Sequence, residues 1–268
     1  MTDLIRRETS AGVLRLTLSD DATRNSLSEA MMNSLAKALA DADADHSIAA
    51  IIIASTGKAY SSGHNLKELT ARRADGDGGL SYFEKIFGNC ARLMLQIAHH
   101  RCAVIAEVDG LASAAGCQLV ATCDLAYASP RASFCTPGVN IGLFCSTPMV
   151  PLSRTVPAKQ AMEMLLLGGI HDAEFAFRAG LINAIVPQNE LSAHVGNVAQ
   201  TISGKSMAAI SYGKRLFHEQ ASLPMAEAYA TSAAVMVKNM LDGAACEGLD
   251  AFINKRHPHW PALPAGTA

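Results

Sequence analysis

Apolar and polar residues follow two different periods along the start of the chain. Residues 13–18, VLRLTL, alternate apolar and polar as a half-buried strand does, and residues 5–9 can pair with them as a hairpin across residues 10–12. Ser28 is a favourable N-cap for a helix, because apolar residues recur after it at the spacing of one buried face. These apolar residues are Met31, Met32, Leu35, Ala38 and Leu39. The pattern predicts a β-hairpin followed by an amphipathic helix.

Short apolar runs then alternate with longer segments that favour helices. The runs typical of buried strands are residues 48–55, 102–108 and 124–129. The segments typical of helices are residues 82–99 and the stretch 110–124, GLASAAGCQLVATCD. Buried strands separated by helices predict an α/β fold with a mainly parallel sheet and right-handed crossovers.

After residue 186 the strand pattern stops and only helical segments follow. They cover residues 190–203, 205–220 and 224–241, with a last piece near residues 247–256. The sequence therefore predicts two regions, an α/β core over residues 1–195 and a helical region over residues 196–268.

Composition and charge limit the classes of function. The chain has 268 residues, of which 50% are hydrophobic, and its 22 basic and 24 acidic side chains leave a net charge of −2. This balance gives no electrostatic basis for binding nucleic acid or an anionic membrane surface. The first residues lack the pattern of a signal peptide, and the aliphatic run 48–54 is far short of the roughly 20 residues that span a bilayer. We expect a cytoplasmic protein.

The seven cysteines are scattered and include no C-x-x-C pair. Several of them lie in apolar surroundings, which favours reduced thiols in the core. No metal site is expected.

Two loops carry the candidate chemistry, and each leads from a predicted strand into a helix. They are residues 59–69, AYSSGHNLKEL, and the stretch 110–124. Such junctions leave backbone N–H groups unpaired at a helix start, so two of them facing each other can form an oxyanion hole. Small residues would let a ligand carbonyl approach the backbone, or would merely let a helix pack on a sheet. These small residues are Gly63, Ala112, Ala114, Ala115 and Gly116.

Several motifs in the same order resemble the enoyl-CoA hydratase/isomerase, or crotonase, superfamily, in particular its hydratase domain-containing relatives. They are RNSL at 24–27, the stretch 110–124, FCTPGVNIGLF at 134–144, GGIHDAEFAFRAGLINAIVP at 168–187 and EGLDAFINKR at 247–256. The resemblance implies a spiral of ββα units with a C-terminal helical trimerisation region, assembled as a homotrimer or a dimer of trimers. It also implies an acyl-CoA thioester substrate of fatty acid metabolism, which brings coenzyme A with it, so that no separate cofactor is expected. The thioester carbonyl would lie between the backbone N–H groups of His64 and Ala115.

The resemblance also exposes two missing carboxylates. The family's hydratases use one glutamate as base and one as acid, and the matching positions here are Gln118 and Gly138, which follows Pro137. An amide and a glycine cannot exchange protons at neutral pH. We therefore expect enolate stabilisation through the oxyanion hole, with weak or no hydratase activity.

Two alternatives remain open. His64 matches a histidine of the superfamily's decarboxylase branch, which implies a lyase in which the imidazole of His64 takes part. The other interpretation of His64 is that it only caps the helix or packs over the loop. The other alternative is a non-catalytic protein that binds acyl-CoA.

The resemblance assigns further residues to substrate binding. Arg24, Ser26 and Leu27 would line the nucleotide end, Leu143 the acyl pocket, and Phe252 and Lys255 the ligand of a neighbouring subunit; without the family, Arg24 and Lys255 are ordinary surface charges. Asn65 stands where the family commonly has aspartate. The remaining candidates are Ser62, Leu66 and Pro137.

Overall fold

The computed structural model describes residues 3–261 and confirms the predicted α/β class. The strands are β1 (Ile5–Ser10), β2 (Val13–Leu18), β3 (Ala50–Ser55), β4 (Ala59–Ser61), β5 (Ala103–Val108), β6 (Leu111–Ser113), β7 (Leu125–Ala128), β8 (Ser133–Cys135), β9 (His171–Asp172) and β10 (Ala184–Ile185). The helices are α1 (Glu29–Ala44), α2 (Leu66–Ala71), α3 (Leu80–Ala98), α4 (Ala115–Thr122), α5 (Ser146–Thr155), α6 (Ala158–Leu167), α7 (Ala173–Arg178), α8 (Gln188–Ser203), α9 (Met207–Gln220), α10 (Met225–Met240) and α11 (Gly243–Ile253).

Two sheets organise the fold. The larger has the order β1-β2-β3-β5-β7-β10, in which β1 and β2 form the predicted antiparallel hairpin and all other pairs are parallel. The smaller has the order β4-β6-β8-β9. The strands β3, β5 and β7 are each followed by a short strand of the smaller sheet and then by a helix. This repeat is the predicted spiral of ββα units.

The smaller sheet was not predicted from the sequence. Its strands have only two or three residues, which is too short for an alternating pattern to show. The helix predicted within the stretch 110–124 is α4, which follows β6 and begins at Ala115.

The central strands β3 and β5 of the larger sheet are buried on both faces. Ile51 and Ile53 of β3 belong to one apolar cluster with residues of α1 and α3, whereas Ile52 lies in another with α8. Burial on both faces explains the unbroken apolar run of β3. The predicted boundary between residues 195 and 196 lies inside α8, whose packed side chains continue across it to Ala199.

Helix α1 is secured at both ends. The Ser28 hydroxyl accepts a hydrogen bond from the Met31 N–H at 3.1 Å, as its predicted N-cap role requires. At the other end the buried guanidinium of Arg101 donates to the backbone carbonyls of residues 42, 43, 45 and 48. The carbonyls of residues 42 and 43 lie in the last turn of α1, where they have no partner within the helix, so Arg101 caps this end.

The helices after α8 make little contact with the core. Lys214 anchors α9 by donating to the carbonyls of Ile97 and Cys102 and by pairing with Asp124 at 2.7 Å. By contrast, α10 contains no buried residue. Its exposed apolar side chains are Met225, Tyr229, Met236, Val237 and Met240. Within residues 3–261, no helix is both long and apolar enough to span a membrane.

Candidate active site

The two predicted loops lie in direct contact. Gly63, in the loop between β4 and α2, has φ of +85°, and a Cβ there would lie 2.8 Å from the Ser113 carbonyl oxygen and 3.2 Å from the Ala115 nitrogen. Gly116 has equally little space, because a Cβ there would overlap the Ser61 carbonyl. Both glycines are needed for the close approach of the two strand-to-helix junctions.

The backbone N–H groups of His64 and Ala115 donate no hydrogen bond to any residue among 3–261. Their directions follow from the planar trans peptide, in which C=O and N–H point opposite ways. The Gly63 carbonyl accepts from the Leu27 N–H at 2.8 Å, and the Ala114 carbonyl accepts from the Gln118 N–H at 3.0 Å. The His64 N–H therefore points away from the residue 24–27 loop, and the Ala115 N–H points out of the N-terminus of α4.

A strained residue sets the second junction. Ala114 has φ of +49° and ψ of −112°, a conformation that a residue with a Cβ rarely adopts. Such a residue costs about 1–3 kcal/mol and persists only where its surroundings enforce it. Here its N–H bonds to the Cys135 carbonyl at 2.9 Å, which ties the turn to β8. The turn allows α4 to start abruptly, with the Ala115 N–H free.

Gln118 is buried in α4, at 3% exposure. Its carbonyl oxygen accepts from the Cys90 thiol of α3 across 3.8 Å. Burial raises the pKa of Cys90 to about 12, so the thiol stays protonated and remains a donor. The amide NH2 of Gln118 donates to no described residue, so it is available to a ligand.

Position 138 has no space for a side chain. A Cβ on Gly138 would lie 2.9 Å from the Leu143 carbonyl oxygen and 3.0 Å from the Cys145 sulfur. The Gly138 carbonyl also accepts from the Leu143 N–H at 2.9 Å, which closes the turn. The second carboxylate is thus missing from the sequence, and the local backbone also excludes it.

The imidazole of His64 lies against the loop of residues 24–27. Its Nδ1 is 3.3 Å from the Leu27 carbonyl oxygen, and its ring packs edge to face with Phe87 of α3, 5.3 Å between centroids. Its Nε2 is buried and has no partner within residues 3–261. Burial lowers the pKa of His64, with the Leu27 bond as a smaller opposing effect. Glu68 does not orient the ring, because its carboxylate bonds to Asn65 and to the Glu29 N–H.

The loop of residues 24–27 is held rigidly beside this site. Arg24 and Asn25 both have positive φ, 57° and 52°. The fully buried Asn25 side chain donates to the Thr56 and Ala59 carbonyls and accepts from the Asp20 N–H. The Arg24 side chain is exposed and forms no ion pair within residues 3–261. A cation is thus presented on a fixed turn.

Other predicted residues of this loop region support the backbone. Ser26 is buried and bonds to Thr23, and the Leu27 side chain lies in the apolar core. Ser62 bonds through its N–H to the Arg24 carbonyl and through its hydroxyl to the Thr23 carbonyl. The structure therefore brings Arg24, Ser62 and Leu27 together with His64.

The remaining candidate residues lie around His64 and the residue 24–27 loop or farther away. Asn65 caps α2 by accepting from the N–H groups of residues 67 and 68, and Leu66 is the exposed first residue of that helix. Pro137 and the half-exposed Leu143 flank Gly138. Phe252 and Lys255 are exposed at the end of α11, and their contact with a neighbouring subunit's ligand stays a prediction.

The cysteines close to the candidate site are buried. Burial raises the pKa of Cys117, Cys135 and Cys145, so these thiols are poor nucleophiles. No group of three metal-ligating side chains occurs within residues 3–261.

Three residues near the site were not predicted as parts of it. Cys90 and Phe87 reach it from α3, one helical turn apart, and Asn25 locks the loop. The contacts of Cys90 and Phe87 span more than twenty residues of sequence, so no local pattern indicates them. Asn25 lies inside the RNSL motif, which is the sequence feature that could have indicated its role.

Comparison with known proteins identifies the family. The sequence pattern of the enoyl-CoA hydratase/isomerase family matches residues 8–262. The chain belongs to this family. It is 43% identical over 263 residues to human enoyl-CoA hydratase domain-containing protein 3, mitochondrial, covering 96% of this chain and 85% of that protein.

Solved structures of the family superpose over nearly the whole chain. The crystal structure of human enoyl-CoA hydratase domain-containing protein 3 gives a TM-score of 0.91 at 41% identity and covers 96% of this chain and 100% of that one. An enoyl-CoA hydratase from Mycobacterium smegmatis gives 0.90 at 42% identity, covering 96% and 98%. The family and the crotonase fold implied by the sequence motifs are confirmed.

Proposed function

We propose that this family member binds an acyl-CoA thioester and stabilises its enolate through an oxyanion hole formed by the N–H groups of His64 and Ala115. The observation that carries the proposal is that both groups are free while their own peptide carbonyls are bonded on the opposite side. Preorganised donors of this kind stabilise developing negative charge without reorganising during the reaction.

Classical hydration would be weak or absent. Hydration of an enoyl thioester needs a base for the water and an acid for the α-carbon, and neither Gln118 nor Gly138 supplies a titratable group. Losing each one costs a factor of roughly 10² to 10⁴ in rate. Carbonyl polarisation depends on backbone donors alone, so it would survive these losses.

Binding of the coenzyme would rely on single charged contacts. The free guanidinium of Arg24, on its rigid turn, suits a phosphate oxygen. Lys255 would play the same role for a neighbouring subunit. The coenzyme arrives as part of the substrate, and no further cofactor is proposed.

A second candidate is an acyl-CoA decarboxylase-type lyase using His64. Enolate stabilisation would suffice for such a reaction without a carboxylate base, and the buried, unpartnered Nε2 of His64 is the observation that favours it. A third candidate is a protein that binds acyl-CoA and converts none.

We further propose a homotrimer or a dimer of trimers built through the C-terminal helices. The support is the run of exposed apolar side chains on α10, which lacks any buried residue of its own. A surface of this kind usually marks an association site. Light scattering after gel filtration would measure the assembly. The human relative is mitochondrial by name, and a cytoplasmic location for this chain stays a prediction.

The test of the oxyanion hole deletes one donor. Ala115→Pro removes the N–H at the first position of α4. Proline suits this position in helices generally, but the ψ of −112° at Ala114 lies outside the range that residues before proline adopt, so the folding of this variant has to be measured. Butyryl-CoA with a ¹³C-labelled carbonyl would report polarisation by the infrared shift of its carbonyl stretch. The matched control is Gln188→Pro, which makes the same change at the first position of α8. Thermal melts of both variants would verify folding.

We expect wild type and Gln188→Pro to shift the carbonyl band to lower frequency and folded Ala115→Pro to lose the shift. An unshifted band in wild type that binds butyryl-CoA would refute the oxyanion hole. Mass spectrometry on a panel of enoyl, malonyl-type and saturated thioesters would then separate the three candidates by the product formed, if any.

A further inference from the structure

The side chain of His64 is tied to a backbone carbonyl outside the proposed oxyanion hole. A carbonyl oxygen can only accept, so the 3.3 Å contact from Nδ1 to Leu27 requires the proton on Nδ1. An imidazolium would also place an N–H at Nε2, where no acceptor exists among residues 3–261. Burial lowers the pKa of His64, which further favours the neutral ring.

Leu27 contacts the loop of residues 59–69, called the oxyanion loop below, through both of its peptide groups. Its N–H donates to the Gly63 carbonyl at 2.8 Å, and its carbonyl accepts from His64 Nδ1 at 3.3 Å. The peptide that carries the His64 N–H is thus held on both sides, at the Gly63 carbonyl and through the His64 side chain. Rotation of that peptide would break the first bond, and a different side-chain conformation of His64 would break the second.

The same contacts join two functional elements. The Arg24 turn, proposed to bind a phosphate, is bonded to Ser62 through the Arg24 carbonyl. Ser62 and His64 flank Gly63, so the loop that holds the coenzyme and the loop that holds the carbonyl form one bonded unit. Movement of one loop relative to the other would misplace the thioester against its donor.

We propose that the His64 imidazole is a positioning group, which in its neutral Nδ1–H form locks the oxyanion loop onto the residue 24–27 loop and fixes the direction of the His64 N–H. This role deepens the proposed function and rests on it. It also separates His64 from acid catalysis, because in this tautomer Nε2 carries no proton to deliver to an enolate.

Two substitutions distinguish the two ring nitrogens. The amide NH2 of an asparagine lies near the place of Nδ1, so His64→Asn keeps a donor for the Leu27 carbonyl. The amide of a glutamine lies near the place of Nε2, so His64→Gln removes that donor and keeps a polar group at the outer position. His171→Gln is the matched control, because His171 also has a buried Nε2 without a partner but lies on β9.

The readouts are the carbonyl shift of bound ¹³C-butyryl-CoA and its dissociation constant by calorimetry. We expect His64→Gln to lose most of the shift and to bind roughly 5- to 10-fold more weakly, the effect of one lost hydrogen bond. His64→Asn should restore a larger part of both, and His171→Gln should match wild type. Equal loss in the two His64 variants, or a full shift in His64→Gln, would overturn the positioning role.

A measurement without any ligand tests the tautomer itself. Nitrogen-15 spectra of labelled histidine at neutral pH should show His64 protonated at Nδ1 only, with its signals assigned from the His64→Gln spectrum. Protonation at Nε2 would overturn the inference whether or not thioesters bind. Conversely, the expected tautomer in a protein that fails to bind butyryl-CoA would defeat the proposed function while leaving the His64 to Leu27 bond established.

Discussion

Gly63→Ala is the most direct test of the contact between the two loops. The substitution adds a single methyl group where the oxyanion loop meets the start of α4. That methyl would lie 2.8 Å from the Ser113 carbonyl oxygen, 3.1 Å from the Ala114 Cβ and 3.2 Å from the Ala115 nitrogen. All three distances are shorter than ordinary van der Waals contact, so either the loops separate or the backbone of residue 63 changes.

Two contributions lower the free energy of unfolding of Gly63→Ala. A residue with a Cβ pays about 1–2 kcal/mol at the φ of +85° that Gly63 adopts. Crowding in a well-packed region adds about 1–3 kcal/mol. The free energy of unfolding should therefore fall by about 2–5 kcal/mol, which lowers the melting temperature by roughly 5–15 °C for a chain of this size.

Calorimetric melting and the carbonyl shift of bound ¹³C-butyryl-CoA would measure both consequences. Gly213→Ala is the control, since Gly213 lies within α9 and has no atom within 4 Å of the added methyl. The same substitution there should stabilise the helix by about 0.5–1 kcal/mol. If the free energy of unfolding falls in Gly63→Ala and rises in Gly213→Ala, the loss of stability at residue 63 comes from its surroundings.

Retention of the wild-type melting temperature by Gly63→Ala would refute the close approach of the two loops. A lower melting temperature with an unchanged carbonyl shift would show that the contact is structural and does not set the donors. Both measurements are made on the same samples, so a failure to fold is seen directly.

Three further predictions concern the proton chemistry and the stability of the fold. Gln118→Glu restores one of the two carboxylates, so hydration of crotonyl-CoA should rise by no more than a factor of roughly 10² to 10⁴ and stay below ordinary hydratase turnover, because the backbone at Gly138 excludes the second carboxylate; turnover of roughly 10 per second or more, followed by the decay of enoyl absorbance, would contradict this. Burial lowers the pKa of His100 and His218 below the ordinary value of 6.5. The unfolded chain therefore binds more protons, and the free energy of unfolding should fall as the pH drops through about 6.5. Urea titrations on either side of that pH would show the fall, and equal or greater stability on the acidic side would refute it. Arg101→Met should lower the free energy of unfolding by about 3 kcal/mol or more, since four hydrogen bonds from the guanidinium to carbonyls are lost, two of them fully buried; a urea midpoint close to wild type would contradict the capping role.

The sequence alone determined the elements whose signals are local. The hairpin, the cap of α1 by Ser28 and the buried strand β3 follow from alternation, capping chemistry and an apolar run within a few residues of each other. The absence of both carboxylates was equally visible, because whether a side chain can exchange a proton is a covalent property of Gln118 and Gly138. The motifs that indicate the family are likewise properties of the chain itself.

Only the tertiary structure decided how these parts act together. The short strands of the second sheet exist because segments distant in sequence pair with each other. A strand of two or three residues is too short to show an alternating pattern of apolar and polar residues. The direction of the His64 N–H depends on a carbonyl held by Leu27, and the Gln118 amide is oriented by Cys90 from another helix. Hydrogen bonds and steric exclusion act between atoms that are close in space and distant in sequence, so the geometry of the site becomes visible only after the chain has folded.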